Sequence, residues 1–163
     1  MNIYRVEDGG YENAPKESQL KLLQETIMEE NRIYQLLPND FTAALKVVID
    51  WRNEQIKADK KVNPYSQHSK ITAVEIAERT KLNEATVRRT LKDGETSTNT
   101  LVLICLALHL PYNISRHIID HSPAPLRLNN VDHQWYDFAL RMHLGKTVEE
   151  VKALLQSYGA NPL

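Results

Sequence analysis

Arg88 and Arg89, with Lys92 one turn further on, have the most specific chemistry to offer in this chain. A guanidinium presents paired N–H groups that match the two acceptors on a guanine edge, and any of the three cations can meet a phosphate. Just before them stand Asn83, Glu84, Ala85 and Thr86. An asparagine can cap the helix that starts after it. On the first turn of that helix, carboxylate, methyl and hydroxyl groups can meet cytosine amino or thymine methyl groups. Lys70 and Lys81 stand on either side of the preceding short helix, where a lysine can neutralise a backbone phosphate. For each base the plain alternative is a solvated helix surface.

Other chemistry is thin. His117 and His121 are four residues apart, a spacing that lets two imidazoles share a metal, but no third ligand stands nearby and the H-E-x-x-H motif is absent. They read as exposed or capping histidines. Cys105 lies in the run Leu-Val-Leu-Ile-Cys-Leu-Ala-Leu and reads as a small apolar filler. Glu29-Glu30 and Glu149-Glu150 are adjacent pairs that do not share a helix face, so they read as solvated. A glycine-rich phosphate loop, a nucleophile elbow and a cysteine–histidine pairing are all missing. The expectation is therefore no enzyme, no cofactor and no metal.

The net charge of −1 over 163 residues conceals an asymmetry. Residues 1–30 hold seven acids against three bases, whereas residues 57–92 hold nine bases against four acids. A polyanion responds to the local field at its contact face, so the basic window counts for more than the total. The longest apolar run, Leu101 to Leu108, is far short of the ~20 residues that span a bilayer. Residues 1–10 carry acids and glycines instead of a signal peptide's apolar stretch. A cytoplasmic protein with no membrane partner is expected.

Helical spacing dominates the chain, and nothing alternates with the period of a strand. Residues 1–14 read as an irregular arm, and Pro15 with the acids after it suits a helix start. From there to Leu37, the residues Leu20, Leu23, Ile27, Tyr34 and Leu37 recur at helical spacing, broken in heptad register by Glu30. Such a stripe suits a short coiled coil or, as the favoured reading, a helix folded onto its own domain. A second helix is expected over residues 41–58, a polar loop over 59–70, and two short helices over 72–80 and 84–92. An apolar helix over 100–110 is stopped by Pro111, and another follows over 114–120. Val131, Trp135, Phe138 and Met142 mark a helix closed by Gly145. Thr147 and Glu150 fit a capping box for a last helix faced by Val148, Val151, Leu154, Leu155 and Tyr158, with Gly159 as its C-cap.

The stretch from Ile71 to Gly94 can be built as a pair of helices. Thr72 caps the first, Ile76 and Ala77 face inward, Thr80-Lys81-Leu82 makes the turn, and Val87 and Leu91 anchor the second on the core. A short helix with a buried back and a basic front can enter the major groove. In Thr72, Glu75, Ile76, Ala77, Leu82, Asn83, Thr86, Val87 and Arg89, and in the apolar helix with Pro111 behind it, this stretch resembles the phage-repressor-like (XRE/Cro) transcription regulators. The likeness runs from about residue 45 to residue 122. It departs where the family favours glutamine (here Ala73), where it favours glycine in the turn (here Lys81), and in a closing Gly94 that comes one residue late. The loop 59–70 is also longer than usual. A winged helix would require two strands after the second helix, where residues 100–121 offer helices instead.

The resemblance implies an all-α, lambda-repressor-like helix-turn-helix bundle over 41–125. An N-terminal arm and helix (1–40) and a C-terminal helical hairpin (126–163) lie outside it. It implies a regulator that binds double-stranded DNA as a homodimer through Lys70, Lys81, Asn83, Glu84, Ala85, Thr86, Arg88, Arg89 and Lys92. The rival reading is an antitoxin or regulatory adaptor that holds a protein partner with the extra helices. Solvent exposure of Arg88 and Arg89 beside Lys92 separates the two.

Overall fold

The computed structural model describes residues 16–143 and 145–163, so the expected arm over residues 1–14 and the helix start at Pro15 lie outside the described residues. The described residues form eight α-helices and no strand. In chain order they are α1 (Glu17–Leu36), α2 (Phe41–Val62), α3 (Ala73–Thr80), α4 (Glu84–Asp93), α5 (Thr98–Ala107), α6 (Tyr112–Asp120), α7 (Val131–Met142) and α8 (Val148–Ser157).

The axis of the fold is α5, with α3, α6, α7 and α8 packed around it. The Ser97 hydroxyl opens it by accepting from the Thr100 amide at 3.2 Å. Every side chain from Thr100 to Leu108 is buried. A helix enclosed on all sides has no polar face to keep, which accounts for its apolar composition. It is also where Cys105 ends up, and full burial pushes that thiol up to about 12, so it stays protonated as a packing group. The helix ends three residues before the expected limit of residue 110 because His109 turns left-handed at φ 50°. Leu108 and Leu110 remain buried on either side of that turn. Arg52 of α2 fixes it, its Nε donating to the Leu108 carbonyl at 3.0 Å and its Nη2 to that of His109 at 2.6 Å.

α2 runs four residues past the expected end at residue 58, into what reads as loop in the sequence. Ala58 to Val62 hold no strong helix breaker, Lys60 and Lys61 oppose the negative end of the helix dipole, and Pro64 supplies the stop. The Asn53 side chain then anchors the following loop. Its Oδ1 accepts from the Ile71 amide at 2.7 Å and its Nδ2 donates to the Ile71 carbonyl at 3.1 Å.

α1 packs on the core with only part of the expected stripe. Ile33 is its buried residue, with Leu37 half-buried beyond its end, while Leu20 and Ile27 of the stripe are exposed. This packing leaves Leu20, Leu22, Ile27 and Met28 exposed along α1. α7 departs in a similar way. Val131 and Met142 at the ends of its expected stripe are exposed, and Ala139, Leu140 and the following His143 are buried. Trp135 and Phe138 of that stripe do pack on the core from half-buried positions.

Polar bonds set the orientation of α7. Asp137 accepts from the Tyr112 hydroxyl at 2.8 Å, from Arg116 at 2.9 Å and from Arg141 at 3.1 Å, tying α7 to α6. Burial works to raise the Asp137 pKa, but the bonds from Tyr112, Arg141 and Arg116 outweigh it and hold the carboxyl below its ordinary value. Such a group stabilises the fold above the carboxylate pKa of the unfolded chain, and that contribution is lost as pH falls through the folded value. Asp137→Asn is expected to cost roughly 1–3 kcal/mol at neutral pH, with the two chains converging below about pH 4, as urea melts at a series of pH values will show.

α8 opens as the spacing predicts. The Thr147 hydroxyl accepts from the Glu150 amide at 3.2 Å and the Glu150 carboxylate from the Thr147 amide at 2.8 Å. Val148, Val151 and Leu155 are buried against one apolar core that also takes in Ile33 of α1, Leu45 of α2 and the whole of α5. Gly159, at φ 83°, follows the helix as the left-handed residue of its C-terminal turn.

Candidate nucleic-acid interface

The helix pair α3–α4 forms because each end of each helix has a local device to close it. The Thr72 hydroxyl accepts from the Glu75 amide at 3.3 Å and starts α3, and the Asn83 side chain accepts from the Ala85 amide at 2.8 Å and starts α4. Between them, Thr80 is buried and governs the turn. Its hydroxyl donates to the Ile76 carbonyl at 2.7 Å and accepts from the Leu82 amide at 3.2 Å. Ile76 and Val87 are fully buried where the two helices meet the core, with Ala77, Leu82 and Leu91 packed behind them. Thr90 is also fully buried, its hydroxyl placed between the carbonyls of Thr86 and Glu95 at 3.1 and 3.2 Å. Gly94 closes α4 at φ 72°, with the Phe41 ring 3.5 Å from where a Cβ would stand.

Burial of Val87 and Thr90 turns the opposite face of α4 outward. Glu84, Ala85, Arg88, Arg89 and Lys92 are all exposed on it, and Thr86 is half-buried at its edge. The C-terminal hairpin packs elsewhere, α8 against α3, α5 and α7. The Arg88 Nε donates to the Glu84 carboxylate at 2.7 Å, an i,i+4 pair that orients the guanidinium along the helix. Arg89 leans toward the Thr86 hydroxyl, 3.5 Å away. One helix thus brings together Glu84, Ala85, Thr86, Arg88, Arg89 and Lys92, with Asn83 at its cap.

Lys70 and Lys81 lie away from the outer face of α4. Lys70 is exposed on the loop before α3 and shares a surface hollow with Lys57 and Lys60 of α2. Lys81 reaches toward Glu149 of α8, with 3.7 Å between the charged groups and both side chains about 70% exposed. Lys81 also occupies the turn position where glycine would be at ease, at φ 61° and ψ 17°. Since a Cβ is strained in the left-handed region and an exposed ion pair contributes little, Lys81→Gly is expected to raise stability by about 1 kcal/mol. Urea denaturation of the two chains measures it.

The histidine pair serves the fold. The His117 Nε2 is 2.9 Å from the Pro38 carbonyl, and the His121 Nδ1 is 2.7 Å from the His117 carbonyl at the end of α6. Among the described residues, no three histidine, cysteine or acidic side chains gather where they could hold a metal ion.

A second group of polar side chains did not stand out in the sequence. Arg52 marks only a helix face there, Arg79 counts only toward a charge total, and His109 is hidden at the end of an apolar run. The structure brings all three to one cavity beside α3. Arg52 next to Trp51 within an otherwise apolar face was the one available signal.

No family model matches the chain, and no curated protein or solved structure is similar to it at a significant level.

Proposed function

We propose that the protein is a sequence-specific DNA-binding regulator that places α4 of a lambda-repressor-like helix-turn-helix in the major groove. One observation carries this reading: the outer face of α4 presents Arg88, Arg89 and Lys92 to solvent together, with Glu84 and Ala85 on the turn before. A capped, firmly seated helix with a basic outer face has the shape and charge the groove admits. Arg88 and Arg89 meet base edges or phosphates, Glu84, Ala85 and Thr86 meet the first bases, and Asn83, Lys70, Lys81 and Lys92 meet the backbone. The protein works in the cytoplasm as a homodimer, one copy per half-site about one DNA turn apart.

A second reading has an observation of its own. Ile27 and Met28 of α1 are 55% and 71% exposed, which suits an antitoxin or adaptor that holds a protein partner through its extra helices. The deciding measurement is binding of the purified protein to the DNA upstream of its own coding sequence, against a scrambled duplex, at two salt concentrations. Tight binding to the first alone, weakening steeply with salt, supports the regulator. Equal, feeble binding to both defeats it in favour of the protein partner.

A further inference from the structure

Four segments line an open hollow of about 520 Å³ beside α3, within the size range of small-molecule sites. α2 contributes Arg52 and Ile56, the loop before α3 contributes His68 and Ile71, α3 contributes Arg79, and the left-handed turn after α5 contributes His109. Each wall is already fixed by bonds to another. Asn53 holds Ile71 through both of its side-chain polar atoms, Arg52 holds the carbonyls of Leu108 and His109, and the Arg79 Nη1 donates to the Ala107 carbonyl at 3.0 Å. The site therefore exists before any ligand arrives, and a ligand loses little to reorganisation on entering it.

Its chemistry has two ends. Ile56, Ile71 and Leu108 supply an aliphatic lining, two guanidiniums supply charge, and these with two imidazoles supply N–H groups. Asp59 is the one carboxylate in the lining, and Glu75 outside it is bonded to the Arg79 Nε at 2.9 Å. Among the described residues, the Arg79 Nη2 has no hydrogen-bond acceptor, so one arm of its fork remains for a ligand. The turn is itself unusual, since His109 holds a left-handed φ of 50° that strains a side chain bearing a Cβ. That conformation presents the imidazole at the cavity while its carbonyl stays on Arg52. Loss of surrounding water holds the ring below the ordinary histidine range, with repulsion from Arg79, His143 and Arg52 adding to it.

We infer that this cavity is a binding site for a small organic acid, its carboxylate on Arg79 and His109 and its apolar body against Ile56, Ile71 and Leu108. The inference does not depend on DNA binding. Because Arg79 belongs to α3, an occupant of the cavity touches the helix pair directly.

The test is amide-resolved NMR of the full chain titrated with sodium benzoate, with inorganic phosphate, and with uncharged benzyl alcohol. Benzoate is expected to give saturable shifts at Ile71, Arg79 and His109, and benzyl alcohol none there. His109→Gly removes the imidazole and relieves the left-handed strain. It is expected to melt higher than the parent yet bind benzoate about tenfold more weakly, with His109→Asn, which tolerates this backbone, in between. Absence of saturable shifts at those three residues with benzoate overturns the assignment. So does saturation by phosphate alone, and so does undiminished benzoate binding by His109→Gly.

Discussion

Arg88→Ala is expected to weaken binding to the preferred duplex by about 1–3 kcal/mol while leaving binding to scrambled DNA much less affected. Arg88 sits on the exposed face of α4, 61% open at its side chain, and among the described residues its hydrogen-bond and ion-pair partner is Glu84. Losing that i,i+4 pair costs the fold only about 0.3–0.5 kcal/mol, so a large change in affinity would come from the complex and not from unfolding. Arg88→Lys sharpens the experiment. It keeps the charge and loses the planar fork, so the salt slope should hold while discrimination at one base pair relaxes. Unchanged affinity in Arg88→Ala would remove this residue from the interface. The measurement is a fluorescence-anisotropy titration against both duplexes at two salt concentrations.

Ile76→Ala is expected to destabilise the fold by about 2–5 kcal/mol, a large share of the roughly 5–15 kcal/mol that holds a domain of ordinary stability together. Ile76 is fully buried where α3 meets the core, and its carbonyl also receives the Thr80 hydroxyl that governs the turn into α4. Truncation leaves a cavity under the helix pair that packed neighbours can only partly fill. The urea midpoint should fall with little change in the slope, since the same surface unfolds. A loss under 1 kcal/mol would mean that α3 is seated less firmly than its burial indicates. Arg88→Ala and Ile76→Ala should therefore separate, the first acting on affinity at nearly constant stability and the second on stability.

Local features were legible in the sequence because their causes are local. Thr72, Asn83 and Thr147 cap helices through amides two or three residues away, so the sequence places all three starts. The 100–108 run marks the central helix, since burial on every side demands an apolar residue at each position. The outward face of α4 follows from Val87 and its neighbours turning inward, at a period a reader can count. Elsewhere the sequence allows more than one answer. α1 carries apolar residues on several faces, and packing on the core took Ile33 and Leu37 while leaving Leu20 and Ile27 exposed. α7 keeps Trp135 and Phe138 of its stripe on the core, but with Asp137 bonded to α6 it buries Ala139 and Leu140 and leaves Val131 and Met142 exposed. The cavity beside α3 is the extreme case. Arg52, Arg79 and His109 are separated by 27 and 30 residues in the chain, and no local pattern relates them. Local periodicity and capping chemistry thus determined which helices form and which way α4 presents its charges. Only the packing of helices distant in sequence decided which apolar faces are spent and which polar groups meet, because those contacts depend on the relative placement of elements and not on the spacing within any one of them.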